Sequence, residues 1–540
     1  MALEFTLPPA APAGLARALA LFRQRDYVSA EAICRKILED TPAQSQALHL
    51  LALVLADTGD SAQAMSCIEQ ARQQDPQNPA LLGAHALLLL RANRLEEAEA
   101  EARAALAVQP LLPDVLDVLG AVRWRRGDTA EARENFTQAL EQNPAHTGAF
   151  GDLALLAEQS NDVAEAERLA AEGLARRPDD VMLLMVHGRC LRRREDWTGA
   201  RAVFERLAQQ GTAVLRRDAE YELVLCHAAL GDAGSAFAHA ERANHLARQN
   251  APQALADARD FMAQIHYLER RFTREWVAAW QPLETTSAGP MPAFLAGFAR
   301  SGTTLLDSML GAHPGIALLE ERGTELAMIR VLDSLPGGYP EALLKLTATE
   351  YGRVLAAYRS AAKPQDSGGR LLLDKSPFLT VHAGLVQRIF PGAPLIFMVR
   401  HPCDVVLSAF LTNLELNSGS AHFTRLGSSV DLYCSVMSLW QRYREVLPLH
   451  CLVLRYEDLL DDPRTVLGRA LDFLGLPWSE RVLHHTEHVA TRGPINTASY
   501  AQVSRPLYQS SRGRWQRYRK YLEPYLARLE PYCRYFGYAL

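Results

Sequence analysis

Residues 119–144, LGAVRWRRGDTAEARENFTQALEQNP, decide how the first half of the chain is read. Apolar and small residues recur at helical spacing on both sides of Gly127-Asp128. Pro144 ends the second run, because proline lacks the N–H that a helix interior needs. Stepping outward by 34 residues finds the same letters. Prolines stand at Pro42, Pro76, Pro110, Pro144 and Pro178, and alanines at Ala30, Ala64, Ala98, Ala132 and Ala166. Ala71, Ala105 and Ala139 form part of a second column, while Gly59-Asp60, Asn93-Arg94 and Asn161-Asp162 repeat the polar turn. Each unit predicts helix, turn, helix and stop, with alanines where the two helices cross closely.

This pattern resembles the tetratricopeptide repeat, with about five clear units. Two degenerate ones follow, at Trp197–Leu207 and around Gly231-Asp232, Ala236 and Ala243. Stacked helix pairs bury a continuous core and curve into a groove. The resemblance implies a peptide or protein partner there, and a rigid spacer or dimerisation arm is the other reading. The segment Ala254–Trp280 is expected to cap the solenoid, and Glu284–Pro290 has linker composition. The expected domains are a solenoid with capping helices at 1–283, a linker at 284–290 and a second domain at 291–540.

Composition fits that division. A chain of 540 residues exceeds what one core fills, and 48% hydrophobic with 22% charged residues is a globular balance. No long apolar run exists, and Arg17 breaks the segment Leu15–Phe22, so neither a membrane span nor a secretory leader is expected and the expected location is cytoplasmic. Eight scattered cysteines without a CxxC pair predict reduced thiols. Residues 1–290 carry 30 Lys/Arg against 40 Asp/Glu, and residues 291–540 carry 27 against 22. That asymmetry places an anionic ligand in the second half and is too small to predict nucleic acid as a partner.

From Pro292 the period changes. Apolar runs at Pro292–Phe298, Leu371–Leu373, Pro394–Val399 and Cys451–Leu454 predict strands, and Thr304–Leu310, Val381–Phe390, Cys403–Leu414 and Arg464–Leu474 predict helices. The expected fold is α/β, P-loop-like, a parallel sheet with helices on both faces and ligands at the carboxyl ends of its strands. Residues 297–304, GFARSGTT, have the glycine and hydroxyls of a loop that wraps an anion in backbone N–H groups. Thr303 stands where a nucleotide P-loop has lysine, which weighs against ATP and magnesium. Arg400 ends another strand, and Ser408 lies one turn along the next helix, so the two suit one phosphate.

Together these segments resemble the sulfotransferases that use 3′-phosphoadenosine 5′-phosphosulfate (PAPS), most closely the protein-tyrosine sulfotransferase branch. The resemblance covers roughly 292–520. Its parts are FARSGTT at 298–304, Ala312-His313-Pro314, Glu320-Glu321, DKSPF at 374–378 and Phe390-Pro391. FMVR at 397–400 with Ser408, LRYEDL at 454–459 and QVSRP at 502–506 leading to Arg514-Trp515 follow in order. It implies that Arg300, Ser301, Gly302, Thr303 and Thr304 hold the 5′-phosphosulfate. Arg400, Ser408 and Arg514 would hold the 3′-phosphate, with Tyr456 lining the nucleotide pocket. Glu321 matches the catalytic base, Lys375 the cation at the bridging oxygen and Ser499 an assisting hydroxyl. PAPS is the implied donor and 3′,5′-adenosine bisphosphate (PAP) the product, without a metal. The acceptor is a hydroxyl on a tyrosine, a sugar or a phenol.

Glu320 is the alternative base. His313 is another, since small-molecule members use a histidine, but its place at a helix end before Pro314 predicts a structural role. Glu457-Asp458 and Asp461-Asp462 read as surface residues starting helices. Two departures stand out. Gly323 occupies the place of a basic residue that reads acidic peptides in the tyrosine branch, with Arg322 one position early. Leu318 and Leu373 stand where secretory members carry disulfides. The rival readings are a repeat scaffold with a catalytically degenerate domain, and a P-loop kinase.

Overall fold

A left-handed residue recurs every 34 positions at the bend between helices: Gly59 (φ 99°), Asn93 (58°), Gly127 (95°), Asn161 (64°) and Glu195 (64°). Glycine and asparagine adopt this conformation most readily, and Glu195 marks the degenerate unit. After three of these five bends an aspartate caps the next helix: Asp60 accepts the Gln63 N–H, Asp162 that of Glu165 and Asp196 that of Gly199. A computed structural model of the chain describes residues 12–24, 26–210, 212–283, 291–363, 368–486 and 511–540. They divide into two compact units, Met1–Gln209 and Gln210–Leu540. No helix among the described residues is long and apolar enough to cross a membrane.

The first unit is all helical, in pairs running from Ala13–Arg23 with Tyr27–Asp40 to Val181–Arg193 with Trp197–Gln210. Ala30, Ala64, Ala98, Ala132, Ala166 and Ala200 are all fully buried, as close helix crossing requires. This is the tetratricopeptide arrangement that the 34-residue period predicts.

A further pair, Ala213–Ala229 and Ala233–Gln249, repeats the helix–bend–helix pattern two residues out of period, with Ala236 and Ala243 buried, yet belongs to the second unit. Asn244 accepts the Tyr221 hydroxyl at 2.8 Å and donates to the Phe410 carbonyl at 2.9 Å, while Phe237 stacks on Tyr521. The expected capping segment is two helices, Pro252–Arg271 and Arg274–Ala278, parted where Thr273 accepts the Trp276 N–H. Its Phe272 packs edge-on against Tyr443 and its Arg271 pairs with Glu341, so it covers the second unit's core. By compactness the second unit starts at Gln210. A repeat period encodes helix pairing within a unit but not which core the outer face joins. The proposed linker, 284–290, lies outside the described residues.

The second unit holds β1 (Ala293–Gly297), β2 (Ile316–Glu320), β3 (Leu371–Lys375), β4 (Leu395–Val399) and β5 (Cys451–Arg455), all parallel in the order β2-β3-β1-β4-β5. β1 and β4 are buried along their whole length, as a sheet covered on both faces demands. The sequence reading has no strand at β2, because only Ala312-His313-Pro314-Gly315 separates its apolar letters from the helix Thr303–Gly311. The register pairs Leu295 and Glu320 with Lys375, and Gly297 with Met398, bringing the carboxyl ends together. After β3 the chain crosses to the other side of β1 to form β4, which makes a switch point beside the end of β1.

In the first unit, burial and then the charge of neighbouring Asp152 push the Asp117 carboxyl well above its usual range. The unfolded value is about 3.9. The folded state therefore binds the extra proton, and stability falls as pH rises above about 4. Asp117→Asn should raise the melting temperature at pH 8 by about 2–4 °C per kcal/mol regained, with the two proteins converging toward pH 4. Thermal melts across that range check the trend.

Candidate active site

Lys375 ends β3 and is fully buried. An ammonium taken from water needs carboxylates around it. Its Nζ lies 2.8 Å from Glu321 Oε1, 3.4 Å from Asp307 Oδ2 and 3.5 Å from Thr304 Oγ1. Asp307 follows Thr303 by four residues on one helix face and is itself fully buried. Glu321, with φ 46°, donates its N–H to the Lys375 carbonyl, while its side chain stays 41% exposed. Behind them the Thr324 hydroxyl donates to Asp374 at 2.7 Å, and the Ser376 hydroxyl to Glu325 at 3.0 Å. Burial pushes the Asp374 carboxyl up to about 7, with the Thr324 bond opposing and the charge of Glu325 adding.

The loop after β1 turns through two left-handed residues, Arg300 (φ 71°) and Gly302 (φ 97°). A Cβ on Gly302 would collide with the Tyr456 ring, so only glycine lets the loop lie on that ring. Ser301 is buried and donates to the Phe298 carbonyl, and the helix opens at Thr303. Arg300 Nε donates to Ser408 Oγ at 3.3 Å. Arg400 donates from Nη1 to the Arg300 carbonyl at 3.1 Å and from Nη2 to the Ser511 carbonyl at 2.6 Å. Its guanidinium lies 4.9 Å over the Tyr456 ring, and its buried Nε has no hydrogen-bond partner among the described residues. The Tyr456 and Ser511 hydroxyls are 2.8 Å apart.

Arg300, Gly302, Arg400, Ser408 and Tyr456 thus form one connected cluster, and Glu321, Lys375 and Thr304 another at the same strand ends. Arg514 is not bonded into either among the described residues. It opens the turn Arg514–Tyr518 with its guanidinium 5.8 Å over the Tyr518 ring. Ser499, residues 502–506 and the side chain of Glu320 lie outside what is described. His313 takes the structural role expected of it: Nε2 meets the Pro477 carbonyl at 2.9 Å, and Nδ1 accepts the Gly315 N–H. Asp462 caps a helix through the Thr465 N–H, as read. Glu457 departs from its surface reading. The helix Tyr456–Asp461 starts directly from β5, and Glu457 is buried there, accepting the His401 N–H and the Tyr538 hydroxyl.

Sequence reading missed Asp307, Thr324 and Glu325, and gave Asp404 no role. An aspartate inside the apolar helix TTLLDSMLG was the one available signal. His401, Cys403 and Cys533 bring ligand atoms within 4.8 Å of one another. Both ring nitrogens of His401 are engaged, Nδ1 accepting the Cys403 N–H and Nε2 facing the Ala539 carbonyl at 2.9 Å. The group fastens the C-terminus and leaves no imidazole lone pair for a metal.

Residues 292–480 match the sulfotransferase family, 123–190 a tetratricopeptide repeat family, and 23–105 the family described as anaphase-promoting complex, cyclosome, subunit 3. Separate stretches of the chain are thus similar to tetratricopeptide repeats and to sulfotransferases. An uncharacterized protein of Aquifex aeolicus (strain VF5) is 26% identical over 435 residues, 77% of this chain and 55% of that protein. Protein-tyrosine sulfotransferase 2 of Gallus gallus is 27% identical over 243 residues, 41% of this chain and 62% of that protein. The protein-tyrosine sulfotransferase of Drosophila melanogaster is 27% identical over 244 residues, 41% and 46% respectively. The chain thus spans about half to two thirds of the length of these relatives.

Within the second unit, Lys375→Met leaves Asp307 buried beside no ammonium and should cost about 3–5 kcal/mol. Adding Asp307→Asn should recover part of that loss, giving a non-additive cycle in urea unfolding. Additive losses would show that the two side chains are not coupled.

Proposed function

We propose that the chain transfers a sulfuryl group from PAPS to a hydroxyl acceptor, with the repeats recruiting or orienting that acceptor or a partner. The observation that carries this reading is the meeting of two clusters at the carboxyl ends of β1, β3 and β4. One is rich in guanidinium and main-chain donors, and the other pairs an ammonium with a part-exposed carboxylate. The residues present fit an adenosine bisphosphate anion. Among the described residues Arg400 has a buried Nε with no hydrogen-bond partner, and the left-handed turn through Arg300 and Gly302 leads straight into the helix N-terminus at Thr303. Bound PAPS would supply a sulfuryl group whose departure leaves negative charge on a phosphate oxygen.

In this reading the N–H groups from Ser301 to Thr304 hold the 5′ end at a helix N-terminus. Arg400 and Ser408, helped by Arg514, hold the 3′-phosphate, while Tyr456 packs beneath the nucleotide. Lys375 stabilises charge as it develops, from a dry position where its field is strong. Glu321 takes the proton of the attacking hydroxyl, and its exposure gives that hydroxyl access. Ser499 is assigned a supporting role by resemblance alone. A tyrosine in a peptide is the acceptor favoured by the protein-tyrosine sulfotransferase relatives, though Gly323 removes the basic residue that would favour acidic peptides. No step needs a metal, and the interior is the assigned location.

PAP added without metal should raise the melting temperature of the sulfotransferase domain, where ATP with magnesium should not. The reverse result would favour a kinase, and no shift with either a scaffold. Glu321→Gln should keep PAP binding while transfer from labelled PAPS falls by about 10²–10⁴-fold. Near-normal turnover would remove Glu321 from the role of base. Arg400→Ala should weaken nucleotides that carry a 3′-phosphate and spare those that lack one, as titration calorimetry would read.

A further inference from the structure

Asp404 lies in the first turn of the helix Pro402–Phe410 and is only 2% exposed. Its Oδ2 accepts the Gly513 N–H and its Oδ1 the Trp515 N–H, both at 2.8 Å. Those two N–H groups flank Arg514, so one carboxylate fixes the backbone on both sides of that arginine. The same short segment is tied three more times. The Ser511 carbonyl accepts from Arg400 Nη2, the Ser511 hydroxyl meets that of Tyr456, and Arg512 pairs with Asp461 at 2.7 Å. Charge-assisted bonds to a buried carboxylate are the strongest of these ties. The bonded path runs from Asp404 through the segment to the guanidinium of Arg400.

We propose that Asp404 is a positioning residue that latches Ser511–Trp515 over the nucleotide site and thereby aims Arg400 and Arg514 at a 3′-phosphate. The inference rests on the donor reading given above. Arg400 spends two donors on main-chain carbonyls, and these fix the plane in which its remaining donors point. One of those carbonyls belongs to Ser511, whose place is held through Asp404. Loosening the latch should therefore cost recognition of the 3′-phosphate and leave the adenosine 5′-phosphate end untouched.

The test compares PAP with adenosine 5′-phosphate by titration calorimetry, on the full chain and on Asp404→Asn. An amide keeps the size but offers one accepting oxygen, so one of the two N–H bonds is lost. The full chain should bind PAP more tightly. In Asp404→Asn that preference should shrink roughly tenfold, with adenosine 5′-phosphate affinity unchanged. Equal losses for both ligands, or an unchanged ratio, would make Asp404 merely structural and overturn the inference alone. A full chain with no preference for PAP would overturn the donor reading and this inference with it. Should Asp404→Asn fail to fold, Ser511→Ala combined with Arg512→Ala loosens the same segment from its exposed side. Its PAP preference should fall in the same direction, and an unchanged preference would overturn the inference.

Discussion

A positive charge held in a dry interior is the constraint around which the second unit is arranged. Lys375 ends a central strand, and its ammonium is tolerable there only because Glu321 and Asp307 come from two other elements to meet it. That requirement fixes the end of β3 against the loop after β2 and against the second turn of the helix that follows β1. The parallel register performs the first alignment, pairing both Leu295 and Glu320 with Lys375. The left-handed turn at Glu321 and the Thr324–Asp374 bond complete it. The buried charge thus sets the geometry of the loops that carry the polar chemistry.

A second ring of contacts gathers the C-terminal part of the chain. Asp404 binds two main-chain N–H groups near Trp515, Glu457 takes the Tyr538 hydroxyl, and His401 faces the Ala539 carbonyl. All three acceptors or rings lie beside the end of β4 or β5, next to Arg400. Residues 81 to 138 positions apart are thereby joined at one edge of the sheet. Arg400 is held by two carbonyls from different segments and stacked on Tyr456, so its orientation is set before any ligand arrives.

What was legible in the sequence was local. The 34-residue period gave the helix pairs, because each bend needs a left-handed residue and each crossing a small one. The loop at 298–304 and the strand ending in Arg400 were readable because glycine, hydroxyls and arginine serve their neighbours within a few positions. What escaped reading depends on distant partners. Glu457 looks like a surface capping residue until Tyr538 and His401 surround it. Asp404 gains its meaning from Gly513 and Trp515, and β2 cannot be told from the helix before it by apolar letters alone. The sorting of the helices from 213 to 278 into the second unit is a matter of which core they touch, on which the period is silent.

That last feature separates two kinds of chain length. Upstream of Gln210, 34-residue modules stack each on its neighbours, so modules can be added or deleted within that unit without a new kind of contact. Downstream, the module at 213–249 carries Asn244, which terminates the helix bearing Ser408 through the Phe410 carbonyl. The number of upstream modules is therefore free to vary within their own unit, whereas the module at 213–249 is held in place by the chemistry it borders.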